Sequence, residues 1–389
     1  MTSVTFSSTL RTVLTRGDLA RLALGWGAFA LLVFAGPLLG DAGSLATWTL
    51  FTVLAVIIGV IVVCAFGVVT QAEHLAHRLG DPYGTLVLTL SIVLIEVILI
   101  SAVMLGPGDH ATIARDSVLA VSMIILNLVV GVALLVGGSR HANLQPNSTG
   151  VSAYLSLLVV LGTVAFALPQ LIGEQGAYTA GQAVPVAVLT VLLYGFFLYR
   201  QMGPQRRDFQ EVDLAHPSGR APGSDGSHAA SVTEVLRMHR AEILSRAVVL
   251  VLTVIPIVLL SHDMAALLDV GLDRLGAPVA LSGVLIAMIV FLPETITTFR
   301  AAWGGEIQRV SNLCHGALVS TVGLTIPAVL TIGLLTGQSV ILGDDPTGLA
   351  LFAVTLLLTL TSFAGKKVSA LHGAAHVLLF LLYGITLFT

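Results

Sequence analysis

Two glutamates lie inside long apolar stretches of this chain. Glu96 lies within TLVLTLSIVLIEVILISAVML and Glu294 within VALSGVLIAMIVFLPETITTF, whereas the other acidic residues fall in predicted loops or at segment ends. An ionisable side chain at bilayer depth costs about 2.5 to 3.5 kcal/mol on insertion scales, so a membrane protein that carries two is expected to use them on an ion or proton path. A lone glutamate could instead be protonated and packed, but two at corresponding places favour function.

The composition supports a membrane protein. Hydrophobic residues make up 56% of the 389 residues and charged residues 10%, well below the quarter that is typical of soluble domains. The net charge of −3 argues against a nucleic-acid partner. Cys64 and Cys314 lack CxxC or CxH spacing, so we predict two inert small hydrophobic residues, no structural zinc and no cofactor.

Eleven apolar runs are long enough to cross about 30 Å of hydrocarbon. The first follows Arg11, Arg16 and Arg21 and lacks a small-residue cleavage site, so we predict a retained helix rather than a signal peptide. The fold class is therefore an all-α membrane protein of about eleven transmembrane helices. The runs lie near residues 20–39, 46–69, 85–105, 117–137, 151–171, 183–200, 244–261, 276–299, 312–335, 347–364 and 368–388.

The distribution of basic residues predicts the orientation. If the N-terminus is cytoplasmic, sixteen of the eighteen Lys and Arg residues fall on the cytoplasmic side, and only Arg115 and Arg274 lie outside. We therefore expect a multi-pass protein of the bacterial inner membrane with a cytoplasmic N-terminus and a periplasmic or extracellular C-terminus.

A polar segment divides the chain into comparable halves. Residues 201–243 are rich in Pro, Gly and Ser and predict a cytoplasmic linker. Residues 46–200 and 244–389 each carry five predicted spans, and residues 1–45 hold the tail and the extra first helix. Because five is odd, a duplicated unit would insert in opposite directions, which predicts two inverted five-helix repeats.

The two glutamates occupy equivalent helices of these halves, the second in each. The following helices carry SMIILNLVVG and HGALVSTVGLTIP, which place Asn127 and Ser320 in matching positions as supporting ligands. Asn312 is predicted to begin a helix, where capping is at least as common as contact with an ion.

Three further residues are candidates for a role at such a site. Pro293 removes a backbone donor directly before Glu294, which suits either a broken helix that lines a cavity or an ordinary proline kink. His315 and His376 could relay protons near neutral pH, although a packed, hydrogen-bonded histidine is the more common situation.

Two long segments resemble a known family. The segments AEHLAHRLGDPYGTLVLTLSIVLIEVILI with RDSVLAVSMIILNLVVG, and LPETITTFRAAWGGEIQRVSNLCHGALVSTVGLTIPAV, look like the paired repeats of the calcium/cation antiporter superfamily. The LIEV, LPE and GLTIP runs and the closing GAAHVLLFLLYG are similar to its bacterial calcium/proton antiporters. The resemblance implies that Glu96 and Glu294 bind cation and proton alternately. The first repeat lacks the Gly-Asn-Pro-Glu form of sodium/calcium exchangers, and Gly316 stands where many relatives carry Ser.

The sequence therefore predicts an antiporter that exports Ca²⁺, or Na⁺ and K⁺, against inward proton flow. Its predicted partners are the transported cations, protons and the lipid membrane, and the oligomeric state stays open. A sodium-coupled calcium exchanger and a passive cation channel remain alternatives, because the same carboxylates could serve either. An intramembrane enzyme is disfavoured, since we recognise in the spans neither paired aspartates nor HExxH nor a serine with a base expected within hydrogen-bond reach.

Overall fold

A computed structural model of the chain describes residues 14–39, 42–79, 111–212, 240–278 and 280–388. It also describes isolated positions between 90 and 104, all helical and Glu96 among them, which we name the Glu96 segment. Most of the predicted linker, residues 213–239, lies outside the described residues, and so do His216, His228 and His239.

The described chain is almost entirely helical, because a backbone in hydrocarbon must satisfy its own polar groups. Two helices contain π turns, at Ile124–Val129 in α3 and at Thr163–Ala167 in α4. The helices are α1 (Arg16–Leu39), α2 (Thr47–Leu79), α3 (Ile113–Arg140), α4 (Ser148–Ile172), α5 (Ala180–Met202), α6 (Arg240–Arg274), α7 (Ala280–Gly304), α8 (Ile307–Thr336), α9 (Pro346–Ala364) and α10 (Ala370–Thr386).

The all-α membrane fold is confirmed. Among the described residues, eight helices are long and apolar enough to cross a bilayer, or nine if the bent helix α7 is counted as one span. Helix α10 is apolar but shorter, and the predicted span 85–105 is described only at the Glu96 segment. A total of eleven spans therefore stays a prediction.

The helices form two apolar clusters. One joins α2 and α6, the first helices of the two predicted repeats, with Cys64, Leu260 and Met264 fully buried at their contact. The larger cluster is built from α3, α4, α5, α7, α8, α9 and α10. Helices α3 and α8 are the most enclosed spans, whereas α1 is exposed along most of its length, as a lipid-facing helix is. The Glu96 segment and α7 lie against the enclosed helices.

The start of the linker packs onto the bundle. Arg206–Phe209 forms a short 3₁₀ turn, and the Phe209 ring is 2% exposed against Tyr154 and Phe197. The Glu211 carboxylate accepts the backbone N–H of Gln308 at 2.8 and 2.9 Å, where the first turn of α8 has unpaired donors. Residues 203–212 therefore belong to the packed structure.

A candidate cation site between the two halves

Glu96 and Glu294 come from opposite halves of the chain and are both buried, each with 4% of its surface exposed. Glu294 lies in α7 directly after a break, since Leu281–Ile289 and Glu294–Gly304 are inclined by 61°. The two carboxyl groups are close enough for Glu96 to act electrostatically on Glu294. The fold thus brings together two acids that lie almost two hundred positions apart in the sequence.

Glu96 has one identified partner. The hydroxyl of Thr321 on α8 donates to Glu96 Oε2 at 2.7 Å, and Oε1 has no hydrogen-bond partner among the described residues. Thr321 was absent from the sequence prediction, although it follows Ser320 directly. The sequence analysis selected Ser320, and the side chain that contacts Glu96 is that of the next residue, Thr321.

Glu294 has no such partner. Neither of its carboxylate oxygens accepts a hydrogen bond from a described residue. Instead the side chain lines a small cavity with room for about one water molecule. The cavity has a polar edge and an apolar wall, and its other lining residues are Ile125, Val129, Phe291, Thr295, Thr298, Leu313 and Cys314.

Neither carboxylate is paired with a Lys, Arg or His side chain within the described ranges. The described residues also contain no group of three His, Cys, Asp or Glu side chains that could hold a resident metal ion. Two buried acids without a basic partner must be neutralised by protons or by a bound cation, because bare charge is costly in low dielectric.

A family model described as "Sodium/calcium exchanger protein" matches residues 49–203 and 245–389. The chain belongs to this family. The resemblance to the calcium/cation antiporters is confirmed, and membership makes the chain a multi-pass membrane transporter of the cation antiporter class.

The chain is similar to a curated protein in sequence and to two solved structures in fold. The chain is 32% identical over 327 residues to the sodium-potassium/proton antiporter ChaA of Escherichia coli (strain K12), covering 83% of this chain and 85% of the relative. Its fold matches the crystal structure of the Ca²⁺/H⁺ antiporter YfkE at TM-score 0.64, with 18% identity and coverage of 95% and 99%. The H⁺/Ca²⁺ exchanger CAX matches at TM-score 0.64, with 15% identity and coverage of 98% and 89%.

The predicted supporting ligands Asn127 and Ser320 are buried but bonded elsewhere. Asn127 Nδ2 donates to Thr355 Oγ1 at 2.8 Å, and Asn127 Oδ1 lies 3.2 Å from His376 Nδ1. Ser320 Oγ donates to the Gly316 carbonyl at 2.8 Å and accepts the Tyr194 hydroxyl at 3.0 Å. Both residues would have to exchange these partners to reach a cation, so their role as ligands stays a prediction.

The predicted position of Asn312 at a helix start is wrong. Helix α8 begins at Ile307, and Asn312 lies in its second turn. Its Nδ2 donates to the Phe209 carbonyl at 2.7 Å, and its Oδ1 accepts from Gln308 Nε2 at 2.9 Å. Asn312 therefore fastens the start of the linker to α8, and no contact joins it to either glutamate in the described structure.

The two histidines are packed side chains with hydrogen bonds. His315 Nδ1 lies 2.8 Å from Ser311 Oγ, its ring packs edge-on against Phe363, and its Nε2 has no partner among the described residues. His376 Nε2 lies 3.1 Å from Ser362 Oγ. A relay of protons through either ring stays a prediction. The same holds for the function of Pro293, which lies within the break of α7.

Proposed function

We propose that this chain is a cation/proton antiporter that exports Ca²⁺, Na⁺ or K⁺ in exchange for H⁺. Transport would alternate access around a midplane site made by Glu96 and Glu294. The observation that carries the proposal is the pair of buried carboxylates, contributed by the two halves and without a basic partner in the described structure.

The physical chemistry of the pair supports exchange rather than simple binding. Two buried carboxylates can be neutralised by one divalent cation, by a monovalent cation with a proton, or by two protons. Each loaded state avoids bare charge, whereas the empty ionised state does not. Cation and proton therefore compete for the same oxygens. A change of access from one side of the membrane to the other with neither of them bound is disfavoured. This competition sets an upper bound near two protons per cycle if no histidine takes part.

Further oxygens are needed when calcium is the cargo. Ca²⁺ takes six to eight oxygen ligands at about 2.3 to 2.6 Å, more than two carboxylates supply. Hydroxyls beside the pair include that of Thr321, which donates to Glu96, and those of Thr295 and Thr298, whose residues line the cavity beside Glu294. Together with water and backbone carbonyls at the break in α7, these groups could complete a coordination shell. Ser320 would join after it exchanges partners.

The similar proteins support a proton-coupled cycle and leave the cation open. The E. coli relative is a sodium-potassium/proton antiporter, whereas the two matched structures are Ca²⁺/H⁺ antiporters. We therefore carry proton coupling to this chain and leave selection among the three cations to measurement. The proposed place is the bacterial inner membrane, with the N-terminus and the linker in the cytoplasm and the C-terminus outside.

The test is proton movement in everted vesicles that hold an established proton gradient. Adding Ca²⁺, Na⁺ or K⁺ should discharge the gradient when the wild-type chain is present, as followed by a pH-sensitive dye. Glu96→Gln and Glu294→Gln should abolish the response. Glu306→Gln is the matched control, because Glu306 is an exposed glutamate in a surface pair with Arg309. Full activity of both site variants would overturn the assignment.

A sodium-coupled calcium exchanger is the second candidate, favoured by the description of the matching family model. The two cycles differ in what drives calcium. With the pH clamped on both sides of the vesicle, calcium uptake that follows an imposed sodium gradient would favour the exchanger. Cation flux that depends on neither gradient would indicate a passive channel and would overturn both.

A further inference from the structure

The π turn of α3 has two faces with different surroundings. Ile125 and Val129 lie one helical turn apart and both line the cavity beside Glu294. Asn127, midway between them, therefore points away from the cavity, and its amide contacts Thr355 and His376 instead. The turn thus separates the candidate cation site from a buried polar network. We name its face at Ile125 and Val129, which lines the cavity, the wall.

This network is a chain of four fully buried side chains, Asn127, Thr355, Ser362 and His376, each with 0% exposure. The Thr355 hydroxyl donates its proton to Met123 Sδ at 3.6 Å. Its oxygen therefore accepts in the hydrogen bond with Asn127 Nδ2. Asn127 Oδ1 then faces His376 Nδ1, which must carry the proton, and His376 Nε2 accepts from Ser362. The hydrogen bonds fix the tautomer of the ring and the orientation of the amide together.

His376 reaches the turn because α10 lies unusually close to α3. A side chain at Gly373 would lie 2.5 Å from the Gly131 carbonyl oxygen and from the Leu135 nitrogen, so only glycine fits there. His376 is less than one turn further along α10, and its Nδ1 lies 3.2 Å from Asn127 Oδ1 in the π turn.

We propose that His376 is a positioning residue for cation binding: through Asn127 it fixes the rotation of the π turn, and thereby the wall that Ile125 and Val129 present to Glu294. The inference rests on the proposed antiport function and concerns the shape of the same site. It requires no change of charge on His376. Apolar packing alone would not need four buried polar groups, and a half-satisfied network of this kind is costly.

The position of the wall should matter for affinity more than for turnover. The cavity has room for about one water molecule, so a small rotation of Ile125 and Val129 would change the space left for a cation at Glu294. Groups that hydrogen-bond to the ligands of a metal site typically contribute about 10- to 100-fold to affinity, and we expect an effect of that order from the position of the wall. Since cavity size distinguishes cations, the ratio of half-saturating Ca²⁺ to Na⁺ concentrations should change too.

The test compares variants of the full chain in the everted-vesicle assay, with half-saturating cation concentration and maximal rate measured separately. His376→Leu should raise the half-saturating concentration about 10- to 100-fold while leaving the maximal rate largely intact. His376→Asn should restore affinity, because its amide can donate to Asn127 as Nδ1 does. His372→Asn is the matched control on the same helix and should behave as wild type, because His372 contacts Ser369 rather than Asn127.

The outcomes separate this inference from the proposed function. Wild-type affinity in His376→Leu would overturn the inference while leaving antiport established by the wild type. An equal loss in His376→Leu and His376→Asn would also overturn it, since ring volume rather than the hydrogen bond would then matter. Absence of exchange in the wild type would overturn the proposed function itself. If His376→Leu does not reach the membrane, Thr355→Val replaces it as the test. Valine nearly matches threonine in size and removes the hydrogen bond at the other end of Asn127, so the half-saturating cation concentration should rise. An unchanged value would refute the proposal.

Discussion

Glu294 and Asp344 are two nearly equally buried carboxylates in very different surroundings. Glu294 is 4% exposed and Asp344, in the loop before α9, is 6% exposed. Asp344 Oδ1 accepts the Asp345 backbone N–H at 2.9 Å and lies 3.8 Å from Arg115 Nε. Glu294 has neither a donor nor a cation among the described residues, and it faces a cavity.

The difference separates an acid that builds the fold from an acid that is available. Arg115 also donates to the Gly343 carbonyl at 3.3 Å, and the Asp344 backbone N–H donates to the Phe166 carbonyl, so the loop is tied to α3 and α4. Asp344 also packs so closely on Gly348 that any side chain there would clash with it. Asp344 is held through its Oδ1 and packs closely on Gly348, although its Oδ2 has no hydrogen-bond partner among the described residues, whereas Glu294 lines a cavity and lacks a partner on both oxygens.

Glu96 is intermediate between these two. Its Oε2 is held by Thr321, and its Oε1 is without a described partner. One carboxylate of the pair is therefore oriented by a hydrogen bond, and the other has no hydrogen-bond partner among the described residues. We infer that Glu96 orients the site and that Glu294 is the side chain that responds to loading.

The largest expected effect is a difference in cation/proton exchange when the carboxyl group of Glu294 or that of Asp344 is replaced by an amide. Glu294→Gln should reduce cation-driven proton release to background, because the amide can neither exchange a proton nor neutralise a cation. Asp344→Asn should retain exchange, since this carboxylate does not line the cavity beside Glu294 and is engaged by Arg115 and the Asp345 N–H. The vesicle assay measures both, and comparable losses in the two variants would remove the distinction between them.

Binding should also be visible without transport. A cation that binds only the folded chain stabilises it by about 2.7 kcal/mol at a hundred times its Kd. We therefore expect Ca²⁺, Na⁺ or K⁺ to raise the melting temperature of the purified wild type, and to raise that of Asp344→Asn equally. Glu294→Gln should show no such rise. A cation-dependent shift that persists in Glu294→Gln would place the binding site elsewhere.

A smaller effect is expected at Thr321. Thr321→Val keeps the side-chain volume and removes the hydroxyl that orients Glu96, so the half-saturating cation concentration should rise about tenfold. Thr325→Val is the matched control, one turn further along α8, because the buried Thr325 hydroxyl has no hydrogen-bond partner among the described residues. Equal losses in both variants would show that orientation of Glu96 is not the cause.

The fold was largely predictable because the bilayer imposes simple rules. Apolar runs of about twenty residues predict helices, and the described helices overlap those runs, although α2 continues to Leu79 and α6 to Arg274, well beyond the predicted ends at residues 69 and 261. The bend in α7 coincides with Pro293. The π turns and the packing of Phe209 were not predictable, since both depend on neighbours distant in sequence. A turn at Ile124–Val129 has no signature within IILNLV itself.

The candidate site was predictable where charge conflicts with hydrophobicity and not where it depends on tertiary contacts. Glu96 and Glu294 stand out in apolar sequence, and the structure brings them together. Thr321 does not stand out, because hydroxyls in membrane helices commonly bond their own backbone, as Ser320 does here. Asn312 was misplaced because the helix begins five residues earlier, at Ile307.

The smallest expected effect is on stability, and it tests Asp344 as a structural acid. Burial raises the pKa of the Asp344 carboxyl from 3.8 to about 6, against the Asp345 N–H and Arg115, which lower it. The folded chain therefore holds this proton more tightly than the unfolded chain. The contribution of protonated Asp344 to the free energy of unfolding is present at low pH and is lost as pH rises through about 6. The asparagine side chain of Asp344→Asn has no carboxyl proton to lose. The melting temperature of Asp344→Asn minus that of the wild type should therefore increase between pH 4 and pH 7. Parallel curves for the two proteins would contradict the assignment, and a cation-dependent change in this difference would show that Asp344 is linked to the site after all.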